Sequence, residues 1–181
     1  MKYLLPAFAA AALLFAATTA SAQLNGQNFA DRKPVLINNA AEYVTLSDFT
    51  FVNAYRDRNT RFLTNLKWTN TGSKAITAFE VVMLFYDPFN RPLRSPSGRW
   101  LIPGHDSADW SPLAPGETAS DGTIGLRDED AFTGAVYVRA IRFEDGTVWY
   151  STQSEVERDL TVAIPQLRET GDIDPGSRPV P

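Results

Sequence analysis

The 181-residue sequence has no cysteine, one histidine and no excess of positive charge, with 17 Lys and Arg set against 21 Asp and Glu. Without cysteine there is no disulfide and no residue to acylate, so the fold rests on its apolar core and a lipoprotein anchor is excluded. A lone histidine means that any histidine-based triad or zinc site has to be built on His105. The acidic balance argues against nucleic-acid binding, which needs a basic stripe to displace counterions from phosphates. Long apolar runs are also missing: the longest, residues 4–17, falls short of the roughly 20 residues that cross a bilayer.

That run instead completes a three-part pattern. Lys2 supplies a short basic end, residues 4–17 the apolar segment, and Ala20-Ser21-Ala22 a small-x-small cleavage sequence. These are the parts of a secretory signal peptide, with cleavage expected after Ala22 and no membrane anchor retained. Loss of residues 1–22 leaves 159 of the 181 residues and, with Lys2 gone, moves the formal charge from −4 to −5. A chain of that length forms one domain with its own core. The expected location is periplasmic or extracellular.

After the signal, residues 23–41 are small and polar and read as an extended lead-in. Residues 165–181 carry Pro165, Pro175, Pro179 and Pro181 with Gly171 and Gly176. That composition buries too little apolar surface to offset its own ordering and predicts a flexible tail. Between them, residues 42–164 show short alternating runs divided by turn residues, the pattern of an all-β domain. Phe62, Thr64, Leu66 and Trp68 share one face of a strand, and Asn65, Lys67 and Thr69 share the other. Residues 75–86 are apolar on both faces, as in a strand covered on both sides. Residues 135–151 form a hairpin turning at Asp145-Gly146. Further strands are expected near residues 44–55, 99–102, 118–126 and 159–164, with a single helical turn near 154–158. About seven strands at this spacing predict an immunoglobulin-like antiparallel β-sandwich.

The order Trp68-Thr69-Asn70-Thr71-Gly72, then Leu84-Phe85-Tyr86-Asp87, then Leu113-Ala114-Pro115-Gly116-Glu117, then a strand with Tyr137, resembles bacterial extracytoplasmic domains of the FxLYD type and related immunoglobulin-like families. The resemblance spans roughly residues 60–150. It implies the sandwich fold and an envelope location, with Asn70 closing a turn, Phe85-Tyr86-Asp87 closing the next strand and Pro115-Gly116-Glu117 starting the return strand, and it brings no catalytic residue.

Residues with chemical potential are few. Gly104-His105-Asp106-Ser107 places triad residue types side by side, but a working triad is assembled from separate elements, so a solvated loop is the simpler account. Asp128, Glu129 and Asp130, with Asp106, Asp109 and Asp121 in other loops, are the weak candidates for calcium. They lack the alternating Asp spacing of a calcium loop and read more simply as a solvated turn. A small hydrolase would depend on His105 or on an acid such as Asp130. Trp100 and Trp110 flank the loop 102–112 and offer flat apolar faces to a partner or a sugar ring, unless they only cap the sandwich. Trp68 and Trp149 lie in strands and read as core. Arg139 and Arg142 with Arg56, Arg58 and Arg61 form at most a loose basic rim. The expectation is a non-catalytic envelope module with no cofactor and a protein partner, docking through a sheet edge or through Trp100, Trp110, His105 and Tyr150. The alternative is a carbohydrate-binding module in which Trp100, Trp110 and Tyr150 stack on glycan.

Overall fold

A computed structural model describes residues 32–56, 59–93, 97–101, 111–125 and 131–174, with the backbone alone for 53–56, 59–63, 97–101 and 123–125. They form eight strands and one helix: β1 (Lys33–Ile37), β2 (Val44–Arg56), β3 (Asn59–Asn70), β4 (Ile76–Tyr86), β5 (Ser97–Leu101), β6 (Thr118–Gly125), β7 (Thr133–Phe143), β8 (Val148–Tyr150) and α1 (Gln153–Ala163). One sheet runs β1-β7-β4-β5 with β8 also paired to β7, and the other runs β2-β3-β6. The two pack face to face as an all-β, immunoglobulin-like sandwich. All pairs are antiparallel except β1 with β7.

Alternation builds the inner layer. Leu66 and Trp68 of β3 face Phe79, Val81 and Met83 of β4 and Val136, Val138 and Ile141 of β7, with Leu46 and Phe51 of β2. The Trp68 ring stands edge-on to Phe79 at 5.0 Å between centroids, the preferred aromatic arrangement. The other face of β4 and β7 is apolar as well. Val82, Leu84, Tyr86, Ala135 and Tyr137 pack against Val156, Leu160 and Ile164 of the helical region and against Ile173. The double-faced apolar pattern of residues 75–86 thus has its cause: a helix covers the side that the second sheet does not.

Three boundaries differ from the sequence expectation. Residues 159–164, expected as a strand, belong to α1 or its C-cap. Val156, Leu160 and Ile164 recur at four-residue spacing, so a single face of the helix is buried. A capping box starts it, with Thr152 and Glu155 exchanging side-chain and backbone hydrogen bonds, an arrangement that contributes about 1 kcal/mol. The lead-in 23–41 includes β1, whose Ile37 is buried. The segment 165–174, expected to be the start of a flexible tail, folds back on the sheet and buries Ile173.

Two tyrosines hold that segment. Tyr86 Oη donates to the Thr170 carbonyl at 3.1 Å, and Tyr137 Oη donates to the Ile173 carbonyl at 2.7 Å. Arg139 bridges Asp174 at 2.9 Å and Glu80 at 3.2 Å. Burial raises the Tyr86 phenol to about 12, and burial together with Asp174 raises that of Tyr137 further, from an ordinary value of 10.0. A raised phenol favours the neutral folded form below pH 10, and its contribution is lost as pH rises through the folded value. Stability is therefore expected to fall above pH 10. Equilibrium unfolding at pH 9 and 11 checks this, and Tyr86→Phe should flatten the dependence.

The turns follow the residue types. Asn70 is fully buried and closes the β3–β4 turn, donating to the carbonyls of Lys74 and Leu113, both at 2.9 Å, and accepting from Gly72 N–H at 3.0 Å. Asp87 closes the turn after β4, accepting from the Phe89 and Arg91 amides and pairing with the Arg91 guanidinium at 2.6 Å. In the β7–β8 hairpin only Gly146 takes a positive φ, at 81°. Asp145 instead accepts from Thr147 and Lys74.

Candidate interaction site at the β8 edge

A β-sandwich has open sheet edges, and an edge strand with unpaired N–H and C=O groups is a ready template for another chain. Several of these edges are closed by particular residues. On β2, Asn38 exchanges two hydrogen bonds with the Leu46 backbone, at 2.7 and 3.3 Å, and a bulge with Asp48 at φ 56° bends the strand. On β1, Lys33 N–H donates to the Phe132 carbonyl. Parallel pairing then directs Lys33, Val35 and Ile37 at β7, and Pro34 outward. Proline brings no N–H to that edge, which blunts it.

β1 and β8 share one side of β7, along residues 133–137 and 140–142 respectively. Asn39 fills the gap between them. Its amide donates to the Val138 carbonyl at 2.7 Å and accepts from Val138 N–H at 3.0 Å, as a strand residue would.

Among the described residues, none protects β8 in this way on its outer side. Phe143 N–H donates to the Thr147 carbonyl and Ser151 N–H to the Arg139 carbonyl, both at 2.9 Å. In an antiparallel pair this parity turns Thr147, Trp149 and Ser151 toward β7 and sends the N–H and C=O of Val148 and Tyr150 outward. The side chains of Val148 and Tyr150 are 43% and 49% exposed.

Beside this edge lies a cleft of about 350 Å³ lined by Glu42, Tyr43, Lys74, Phe143, Val148 and Trp149, among others. Tyr43 packs against Phe143 at 5.3 Å and Trp149 at 5.8 Å, giving an aromatic wall. The Lys74 ammonium sits 5.6 Å from the Phe143 ring centre and pairs with Asp145 at 2.6 Å. Hydrogen bonds from Lys74 and Thr147 hold the Asp145 carboxyl well below the usual range, so it stays charged. Burial and Glu42 raise the Tyr43 phenol, which stays neutral.

Of the residues expected to bind, Tyr150 lies in this site. Trp100 lies on β5, where it pairs with Glu80 across the sheet from β8. Trp110 and His105, like Asp128, Glu129 and Asp130, fall outside the described residues. Trp68 is core, 3% exposed. Trp149 is half-buried against the core and also lines the cleft. Sequence reasoning passed over Tyr43, Val148 and the Asn38-Asn39 pair. Val148 was legible as an apolar residue out of phase with Trp149 on a hairpin arm, whereas Tyr43 joins the site through pairing that no local pattern reveals. Among the described residues no three His, Cys, Asp or Glu side chains come together as a metal site, and no helix is long and apolar enough to cross a membrane.

No protein family matches the chain, and no curated protein is similar to it. Among solved structures, a hypothetical protein from Peptoclostridium difficile 630 is similar over 66% of this chain and 91% of its own, at 13% identity and a TM-score of 0.49. A DUF1425 family member from Shewanella sp. pv-4 is similar over 53% of this chain and 76% of its own, at 14% identity and a TM-score of 0.37.

Proposed function

We propose that this chain is a non-catalytic interaction module of the bacterial cell envelope, exported by its signal peptide, that docks an extended segment of another polypeptide on the β8 edge. The observation carrying this reading is the outward N–H and C=O groups of Val148 and Tyr150, both exposed, on a molecule that caps backbone groups of β2 and β7 with Asn38 and Asn39 and blunts β1 with Pro34. Strand addition uses these features: backbone hydrogen bonds give affinity, and alternate side-chain contacts give specificity. The likeness of its turns to FxLYD-type domains favours the same compartment.

A photoreactive phenylalanine analogue in place of Tyr150 is expected to give a discrete adduct with an envelope polypeptide in intact cells. The same probe at Val162, exposed on the helix, is the control and should give none. Equal labelling at both positions, or none at Tyr150, rejects strand docking. Carbohydrate binding keeps a specific observation in its favour, the aromatic wall of Tyr43 and Trp149 along the cleft. Retention on immobilised cell-wall glycan without a protein adduct would replace the first reading by that one.

A further inference from the structure

We infer that the polypeptide segment fitting the β8 edge is β8 of a second copy of this chain, paired antiparallel about a two-fold axis at Trp149. The inference rests on the strand-docking reading above and names its partner.

The register follows from which backbone groups are free. Centred on Trp149, Val148 of one copy lies opposite Tyr150 of the other. Each such pair exchanges two hydrogen bonds, so the two pairs make four, and every outward group of both strands is used. Shifting the centre to Val148 would place Tyr150 opposite Gly146, whose N–H already donates to the Phe143 carbonyl at 3.0 Å. Shifting it to Tyr150 would place Val148 opposite Thr152, whose N–H is engaged by Glu155 in the capping box. Among these, the Trp149-centred register alone leaves no competing bond to break.

Side chains agree with that register. It sets the exposed Val148 against the exposed Tyr150 twice, a β-branched residue against an aromatic, which is a favourable cross-strand combination. Extending the rows through Arg142↔Val148 and Ala140↔Tyr150, Arg142 of one copy falls in line with Ala140 of the other, so no like charges oppose. The contact joins the two β7-containing sheets into one continuous sheet and is isologous, so it closes at two subunits. A three-residue strand buries far less than the roughly 800 Å² per partner of a stable interface, so the dissociation constant is expected on the order of 100 µM.

The absence of native cysteine gives a test without background. One preparation carries Val148→Cys and another Tyr150→Cys, each expressed with its full 181-residue chain and purified from the envelope fraction. Hydrogen-bonded antiparallel pairs stand about 5.5 Å apart at Cα, within disulfide reach, whereas the homotypic pairs are two residues out of register. Mixed under mild oxidation, the two should give the heterotypic disulfide about tenfold faster than either alone. Sedimentation equilibrium of the native chain should show reversible dimerisation that Tyr150→Pro weakens at least about tenfold, since that proline removes an outward N–H and the ring facing Val148 while sparing the bonds of β8 to β7. Homotypic disulfides forming as fast as the mixed one, or a monomer persisting to about 1 mM, overturn the dimer. If the monomer persists while the Tyr150 photoprobe still captures a different envelope protein, strand docking stands and only the identity of the partner falls. If neither is seen, both fall.

Discussion

Replacing Ile173 by alanine is expected to lower the free energy of unfolding by about 2–4 kcal/mol, the loss typical of a buried isoleucine truncated in a packed core. Ile173 is 1% exposed and packs in the layer formed by Val82, Leu84, Tyr137, Leu160 and Ile164. Its carbonyl accepts the Tyr137 hydroxyl, and because that bond is to the backbone it survives the substitution. The predicted loss is therefore apolar contact and cavity alone. Asp174→Asn, which removes the charge paired with Arg139 at a half-exposed site, should cost under about 1 kcal/mol. Urea unfolding of the two variants separates the cases. A loss below about 0.5 kcal/mol for Ile173→Ala, within the range of ordinary surface changes, would mean that residues 165–174 do not fold with the sandwich.

How legible this was differs along the chain. The strand face of Leu66 and Trp68, the doubly apolar β4 and the hairpin at Gly146 were all legible, because period-two alternation and a turn glycine are local signals. The helix was largely missed: Thr161 and Val162 mimic a strand, and the helix buries only the narrow stripe of Val156, Leu160 and Ile164. Proline and glycine in residues 165–181 pointed to disorder, yet one isoleucine and two tyrosine hydroxyls from distant strands order residues 165–174. Such long-range contacts leave no trace in local composition. For the site, Tyr150, a candidate for binding from the sequence, lies exposed on β8. That β8 is an open edge depends on which neighbour each strand pairs with, and alternation alone does not encode pairing order.

The same reasoning applies most sharply to the two asparagines that read as polar lead-in. Asn39→Ala is expected to destabilise the fold by about 2–3 kcal/mol, because it strips both partners from a backbone N–H and C=O at once. Val138 is fully buried, so water replaces the amide poorly. Asn39→Asp should do no better than alanine. Its carboxylate still accepts from Val138 N–H, but the group that donated to the Val138 carbonyl becomes an acceptor, and two oxygens then face each other. Asn38→Ala makes the equivalent deletion at Leu46, which is as buried as Val138, but Asn38 itself is exposed where Asn39 is half-buried, so water can take its place and about 1 kcal/mol is expected. The order Asn39→Asp and Asn39→Ala well below Asn38→Ala is thus the signature of side chains standing in for absent strand residues. Amide exchange locates the effect, with protection lost at Val138 in the Asn39 variants and at Leu46 in the Asn38 variant. If all three variants lose stability equally and Val138 keeps its protection, the pair acts as an ordinary loop and the closure of the β7 edge lies elsewhere. If Val138 opens as predicted, the gap beside β8 is held shut by a single amide, and the proposed strand docking falls on the neighbouring strand, whose outward groups no such amide takes among the described residues.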